Sequence, residues 1–248
     1  VGGGGELAER ARALGIRVEN GKAISKVFGK KRVEAIRICE HKDSDKGKEK
    51  IDCDCIAMSG GWSPVVHLYS HCGGKLNWDE ELALFRPDSS AKPTSYDGLP
   101  FVTAVGSANG FLLMQEVLKD AQAGCLDVIE AAGGKVKKKN FKVIEQEHEN
   151  TIQAIWVSPQ DADIKKRSKI WLDFQNDVKV NDVELAAREG FESVEHAKRY
   201  TTLGMATDQG KLSNINGLAV LSSSLGKEIP KVGTTTFRPP YTPISLGS

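Results

Sequence analysis

Apolar positions at the start of the chain recur at helical spacing: Leu7, Ala11 and Leu14 fall on one stripe of ELAERARALG, and the pattern stops at Gly15. This spacing predicts a short helix closed by a glycine. The texture then changes to short β-branched runs, IRVENG, AISKVFG and VEAIRICE, separated by Asn20-Gly21 and Gly29-Lys30-Lys31. Such breaks suit hairpin connections, so a small antiparallel element is expected. After the charged loop HKDSDKGKEK, the run IDCDCIAMSGG alternates and then turns apolar. It reads as a strand entering a sheet core and ending at Gly60 and Gly61.

GLPFVTAVGSANG repeats that logic, an apolar strand leading into a glycine turn at Gly106, Ser107, Ala108, Asn109 and Gly110. In the segment that follows, Leu113, Val117, Ala121, Cys125 and Ile129 recur every four residues, which predicts a long helix with Asn109 as its N-cap. A strand, glycine turn and helix in that order present backbone N–H groups where nucleotide phosphates or sugars bind in doubly wound folds. Read on their own, Gly60-Gly61 and the Gly106–Gly110 turn fit equally well as plain strand ends. Residues 135–168 lack a core-like pattern and are expected to be a linker. Beyond Lys169 three short helices are expected. NDVELAAREGF has Asn181 and Glu184 at capping-box spacing, SVEHAKRYTTLG opens at Ser193, and NINGLAVLSSSLG closes at Gly226. The proline-bearing residues 231–248 read as an extended tail.

Composition narrows the classes. A chain of 248 residues that is 40% hydrophobic and 27% charged can bury a core in one or two domains. With 34 basic against 33 acidic residues it has no charge excess for nucleic acid or anionic lipid. No run approaches the ~20 apolar residues of a membrane span, and no leader-like start is visible. Five cysteines with no CxxC pair argue for free thiols in a reducing compartment, hence a cytoplasmic protein. The start Val-Gly-Gly-Gly-Gly, without Met, leads to the expectation of a piece of a longer chain.

The stretch DFQNDVKVNDVELAAREGFESVEHAKRYTTLGMATDQGK, followed by GTTTFRPPYTP, resembles the helical domain in the α subunits of heterotetrameric sarcosine oxidases. SGGWSPVVHL and VGSANG resemble nucleotide-domain landmarks of that family, so the likeness covers most of residues 50–244 and the first 50 match in layout only. The resemblance implies an α/β, partial Rossmann-like fold of the two-dinucleotide-binding-domain flavoprotein type. A small all-α domain like bacterioferritin-associated ferredoxin follows it. The implied layout is 1–134 for the partial dinucleotide domain (1–66 an inserted subdomain, 67–134 a return segment), 135–168 a linker and 169–230 the helical domain. Residues 231–248 then lead toward an absent folate-binding domain.

Implied with it are NAD in the complete α subunit, bound weakly or not at all here because the opening GxGxxG is lacking. FMN at the α/β interface, FAD in the β subunit, γ and δ partners, and tetrahydrofolate on the absent domain are implied as well. The family's activity is oxidative demethylation of sarcosine. On this reading the chain carries no catalytic residue of its own. Its cofactor-contacting residues would be Gly60, Gly61, Gly106, Ser107, Ala108, Asn109, Lys198, Arg199, Thr201 and Thr202, the last four anchoring an FMN phosphate. Without the resemblance, Lys198 and Arg199 read as a solvated helix face.

Relatives of the helical domain hold a [2Fe–2S] centre with cysteines spaced CxC and CxxxxC. Laid on that pattern, this chain has Asp173, Gln175, Asp208 and Ser213. Oxygen-bearing side chains replace all four soft ligands, so no cluster is expected. The polar replacements should bond the domain's own backbone rather than perform acid–base chemistry. Cys53, Cys55, His67, His71 and Cys72 lack the further ligands a metal site needs and read as structural. The competing readings are the α subunit of an amino-acid or opine dehydrogenase, which the missing cysteines oppose, and a ligand-free structural module.

Overall fold

A computed structural model of the chain describes residues 5–143, 153–236, 242 and 244–247. Its contacts divide the chain into two units, residues 1–61 with 151–235, and residues 62–150 with 236–248. This differs from the layout expected from the sequence. The first 61 residues pack with the helical segment, although some ninety residues separate them along the chain.

In the first unit, helix α1 (Glu6–Ala13) is followed by strands β1 (Lys22–Phe28), β2 (Ala35–Glu40) and β3 (Glu49–Asp52), an antiparallel sheet in the order β1-β2-β3. The hairpin expectation holds. The expected core strand over 51–61 does not: regular pairing stops at Asp52, because β3 is an edge strand bonded only to β2. Beyond it, Cys55 and Ala57–Gly61 lie exposed. Ala23, Ala35 and Cys39 are buried on one face of the sheet, and Ile38 is buried on the other.

The other half of this unit is built from helices. Short α4 (Ile164–Arg167) is capped by Asp163, whose carboxylate accepts the Lys166 N–H at 2.8 Å. A small hairpin of β6 (Trp171–Asp173) and β7 (Val178–Lys179) then leads into α5 (Val180–Arg188). Helices α6 (Val194–Thr201), α7 (Asn214–Leu225) and α8 (Ile229–Val232) follow. Val180, Val183 and Ala186 lie three residues apart on α5, the spacing of one helix face, and are buried together with Leu218, Ala219 and Leu221 of α7. At the start of α5 the cap is not the expected Asn181–Glu184 pair. Asp182 accepts the Lys179 N–H at 2.8 Å, and Glu184 is drawn away by an ion pair with Arg167.

Ser44 ties the two halves of this unit together. Its N–H and its hydroxyl both donate to Asp161 Oδ2 at 2.9 Å, while Lys166 donates to the Ser44 hydroxyl at 2.6 Å. The Gln160 N–H adds a bond to the His41 carbonyl at 2.8 Å.

The second unit holds α2 (His67–His71), the antiparallel pair β4 (Leu76–Asp79) and β5 (Leu84–Pro87), a 3₁₀ turn over Gly106–Asn109, and α3 (Met114–Ala131). The long helix appears where its period predicts. The preceding strand does not: beyond the Phe101 N–H bond to the Pro93 carbonyl, 101–105 joins no ladder among the described residues and runs against α3, where a Cβ on Gly124 would come within 2.5 Å of Val105. The β4–β5 hairpin is not anticipated by the sequence reading. Every ladder among the described residues is antiparallel. No helix among them is long and apolar enough to cross a membrane. The stretch 145–150 and part of the predicted tail, 237–241, 243 and 248, lie outside the described residues.

The Ser44 N–H, followed by the Ser44 hydroxyl, holds the Asp161 carboxyl below the usual carboxylate range. A folded-state value below the unfolded one adds stability above the unfolded pKa, and that stability is lost as pH falls through the folded value. Asp161→Asn should therefore lower the thermal midpoint at neutral pH, and the gap from the native chain should close below about pH 4. A gap of constant size across the acid range would contradict this assignment.

Candidate functional site

Where β6 ends, Asp173 turns inward and is 4% exposed. Its carboxylate accepts three backbone N–H groups: Oδ1 takes those of Gln175 and Asn176 at 3.0 Å, and Oδ2 takes that of Gly204 at 2.9 Å. Two residues on, Gln175 Oε1 accepts from the Thr207 N–H at 3.0 Å and from its hydroxyl at 2.9 Å. Asp208 then folds its own loop, Oδ1 accepting from Gly210 N–H at 3.1 Å and Oδ2 from Leu212 N–H at 3.2 Å. Ser213 precedes α7; its residue is 1% exposed and its Oγ is buried without a partner. All four side chains line one cavity of about 470 Å³, together with Leu172, Phe174, Lys211 and Leu212.

The four positions singled out by their CxC and CxxxxC spacing are thus gathered about one pocket. Loop conformation permits this through two glycines in the left-handed region. At Gly204 (φ 67°) and Gly210 (φ 73°), a Cβ would lie 2.0 and 2.2 Å from the Asn214 side chain. As a donor set the pocket does not suit an iron–sulfur centre. Its oxygens are hard ligands, and seven of the donors that point at them are already bonded. Among the described residues no group of three or more His, Cys, Asp or Glu is placed to hold a metal ion. All five cysteines are free thiols.

The residues expected to contact cofactors lie in both units. In the first, Gly60 and Gly61 stand exposed after β3, where a Cβ would meet nothing within 4 Å. No close approach demands glycine there. Lys198 is buried at 8% exposure, and exposed Arg199 pairs with Glu195 at 3.5 Å, one turn earlier. Thr201 donates its hydroxyl to the Ala197 carbonyl at 2.8 Å and accepts the Leu203 N–H at 3.2 Å. Thr202, at φ 63°, closes the helix, and its hydroxyl donates to the Thr201 carbonyl at 2.6 Å. This is the carbonyl end of α6, which carries partial negative charge, so Lys198 and Arg199 complement the helix itself. The threonine hydroxyls are occupied and do not fit a phosphate.

In the second unit, Gly106, Ser107, Ala108 and Asn109 form the 3₁₀ turn. Asn109 is not the cap of α3, whose N-cap position is held by Leu113. Its side chain instead donates to Asp120, as does the Gly106 N–H at 2.7 Å. Asp120 is the partner of this turn that the sequence reading missed. It sits nearly two turns into α3, and nothing in the helical pattern separates it from a solvated position.

Comparison with known proteins follows these landmarks. Residues 167–248 match the family described as the Sarcosine oxidase A3 domain. The chain is 39% identical over 203 residues to sarcosine oxidase subunit alpha of Rhizobium meliloti (strain 1021), covering 81% of this chain and 19% of that protein. It is 35% identical to the subunit of the same name from Corynebacterium sp. (strain U-96), over 81% of this chain and 20% of that one. For Corynebacterium sp. (strain P-1) the figures are 31%, 97% and 25%. The chain therefore spans about a fifth to a quarter of the length of these relatives. In fold it is similar to L-proline dehydrogenase from P. horikoshii, with a TM-score of 0.68 at 18% identity, over 97% of this chain and 47% of that one.

Asp173→Ala would strand three backbone donors, two of them in a tight turn and one in the 203–213 loop. The expected cost is about 3 kcal/mol or more in denaturant unfolding, with Asp173→Asn intermediate because it keeps one acceptor oxygen. A loss under about 1 kcal/mol for the alanine variant would show that the carboxylate does not hold the loop.

Proposed function

We propose that this relative of sarcosine oxidase α subunits serves as a non-catalytic part of a flavoprotein complex that oxidatively demethylates sarcosine. In that reaction the N-methyl carbon is oxidised and leaves as formaldehyde or as a folate-bound unit, glycine remains, and oxygen accepts the electrons. The amine-oxidising flavin would be FAD held by a β subunit, with γ and δ subunits completing the assembly and tetrahydrofolate binding elsewhere in the complex. The chain's contribution is positional. Its helical segment, read as a ferredoxin-like domain without a cluster, offers a surface toward FMN, and its glycine turn belongs to the NAD-binding part of a two-dinucleotide fold.

One observation carries this reading: Asp173, Gln175, Asp208 and Ser213 meet at one pocket, and the two carboxylates and the amide are bonded to the domain's own backbone. A dehydrogenase α subunit that passes electrons through an iron–sulfur centre needs thiolates there. A subunit of an oxidase that keeps the scaffold and dispenses with the centre does not. For FMN, the fit at α6 is limited to the two cations, since Thr201 and Thr202 are engaged internally. Arg199 is the more exposed of the two cations.

Co-expression with candidate β, γ and δ subunits tests the proposal. The purified complex should consume oxygen when given sarcosine, contain both flavins, and hold no iron or acid-labile sulfide. Lys198→Ala with Arg199→Ala should lower its FMN content and leave FAD unchanged. A complex that contains iron and sulfide, or that reduces a dye while leaving oxygen untouched, would favour the dehydrogenase reading instead.

A further inference from the structure

Three Asn–Gly pairs occur in the chain, at Asn20, Asn109 and Asn216, and the fold treats them differently. Asn109 donates through its side chain to Asp120, its carbonyl accepts from Arg86 at 3.0 Å, and the following Gly110 N–H donates to the Ser107 carbonyl at 3.1 Å. Asn216 lies inside α7, where the Gly217 N–H donates to the Ser213 carbonyl at 2.9 Å and a Cβ on buried Gly217 would meet Leu203 at 2.2 Å. Asn20, by contrast, is exposed just ahead of β1. Among the described residues the hydrogen bond at this pair runs from the His41 N–H to the Gly21 carbonyl at 2.7 Å, so the Asn20 side-chain amide and the Gly21 N–H are both unbound. Gly21 stands at φ 67°, and a Cβ there would meet nothing within 4 Å.

We propose that Asn20 is a modification site, the position at which the folded chain converts asparagine to isoaspartate and aspartate. The Gly21 nitrogen, on losing its proton to solvent, attacks Asn20 Cγ. An N–Cγ bond forms, the Cγ–Nδ2 bond breaks, and ammonia leaves with a proton, giving a five-membered succinimide ring. Water then opens the ring. Hydrolysis at Cγ gives aspartate, whereas hydrolysis at the main-chain carbonyl gives isoaspartate, with the chain running through the former side chain; neither step involves an oxidant or a reductant. Glycine favours the attack because it puts no Cβ beside the nitrogen and lets the backbone turn freely. At Asn109 and Asn216 the same attack must wait for a bonded turn or a helix to open. The product alters the entrance to β1. Its new carboxylate joins Glu19, Glu40 and Glu49 around Arg17 and Lys22, whose ion pairs measure 2.5 to 2.7 Å. The isoaspartyl form also lengthens the main chain directly before Gly21, whose carbonyl holds His41.

The test incubates the full chain in warm, mildly alkaline buffer, once folded and once in denaturant, and follows the three pairs by proteolysis and mass spectrometry, with isoaspartate and aspartate separated by chromatography. In the folded chain Asn20 should convert at least about tenfold faster than Asn109 or Asn216, as expected where one or two hydrogen bonds must break before the attack. In denaturant the three rates should converge. Hydrogen exchange at the His41 amide should be faster in the converted chain than in the fresh one, and unchanged in Asn20→Asp, which carries the charge without the added main-chain atom. Comparable rates at the three sites of the folded chain overturn the proposal, as does an Asn20 that stays intact. A preference of the same size in denaturant also overturns it, because local sequence and not the fold would then make the choice. Equal exchange at His41 in fresh and converted chains overturns the effect on β1.

Discussion

Backbone N–H groups turned away from water need acceptors, and in this protein the supply of acceptors shapes the loop between α6 and α7. The chain enters that loop at Thr202, left-handed, and leaves it at Ser213, with the N–H groups of Gly204, Thr207, Gly210 and Leu212 bonded to side-chain oxygens and the Gly204 bond buried. No strand or helix can satisfy them there. Asp173, Gln175 and Asp208 do so with side-chain oxygens, and Asp173 joins the loop to the β6–β7 turn through the same carboxylate. Where four thiolates and a cluster would organise such a loop, sulfur atoms would be available as acceptors. Here side-chain oxygens perform that task. Ser213 differs from the other three, being buried with an unpartnered hydroxyl at the cavity wall.

A second polar tie works on a larger scale. Ser44, in the loop between β2 and β3, meets Asp161 and Lys166 more than a hundred residues later. Closing so long a loop is costly in entropy, and a few hydrogen bonds do not offset it alone. The buried faces of the sheet and of α5 and α7 supply the larger share through apolar burial, while the Ser44 tie fixes where the segments meet. Sequence order therefore misleads about domain membership. Residues 1–61 and 151–235 form one unit, a grouping that no local pattern announces.

Helices were legible because their signal is internal. The periods in 6–13, 114–131, 180–188, 194–201 and 214–225 all correspond to helices, and Gly226 at φ 61° ends the last as expected. Strands were less so, since a strand exists only where a neighbour accepts its bonds. The apolar runs at 53–57 and 101–105 look like core strands, yet beyond single bonds from the Cys53 and Phe101 N–H groups neither joins a ladder among the described residues. Caps failed for a related reason: Asn109, Asn181 and Glu184 are chemically suited to capping, but tertiary contacts with Asp120 and Arg167 redirected Asn109 and Glu184. The polar pocket was legible through the family resemblance, which laid the CxC and CxxxxC pattern on Asp173, Gln175, Asp208 and Ser213, and these four residues line one cavity.

Asp173 and Asp120 act alike, although they belong to different units. Each is an acceptor for donors of a turn: Asp173 takes three backbone N–H groups, and Asp120 takes the Gly106 N–H and the Asn109 amide. A carboxylate so placed is a brace that satisfies the donors. Rigid loops built this way can present a shaped surface without gripping a phosphate or a cluster. Such bracing also explains why residue types alone point toward acid–base chemistry at Asp173 and Asp208, whereas their bonding, to backbone N–H groups on every assigned oxygen, shows carboxylates committed to structure.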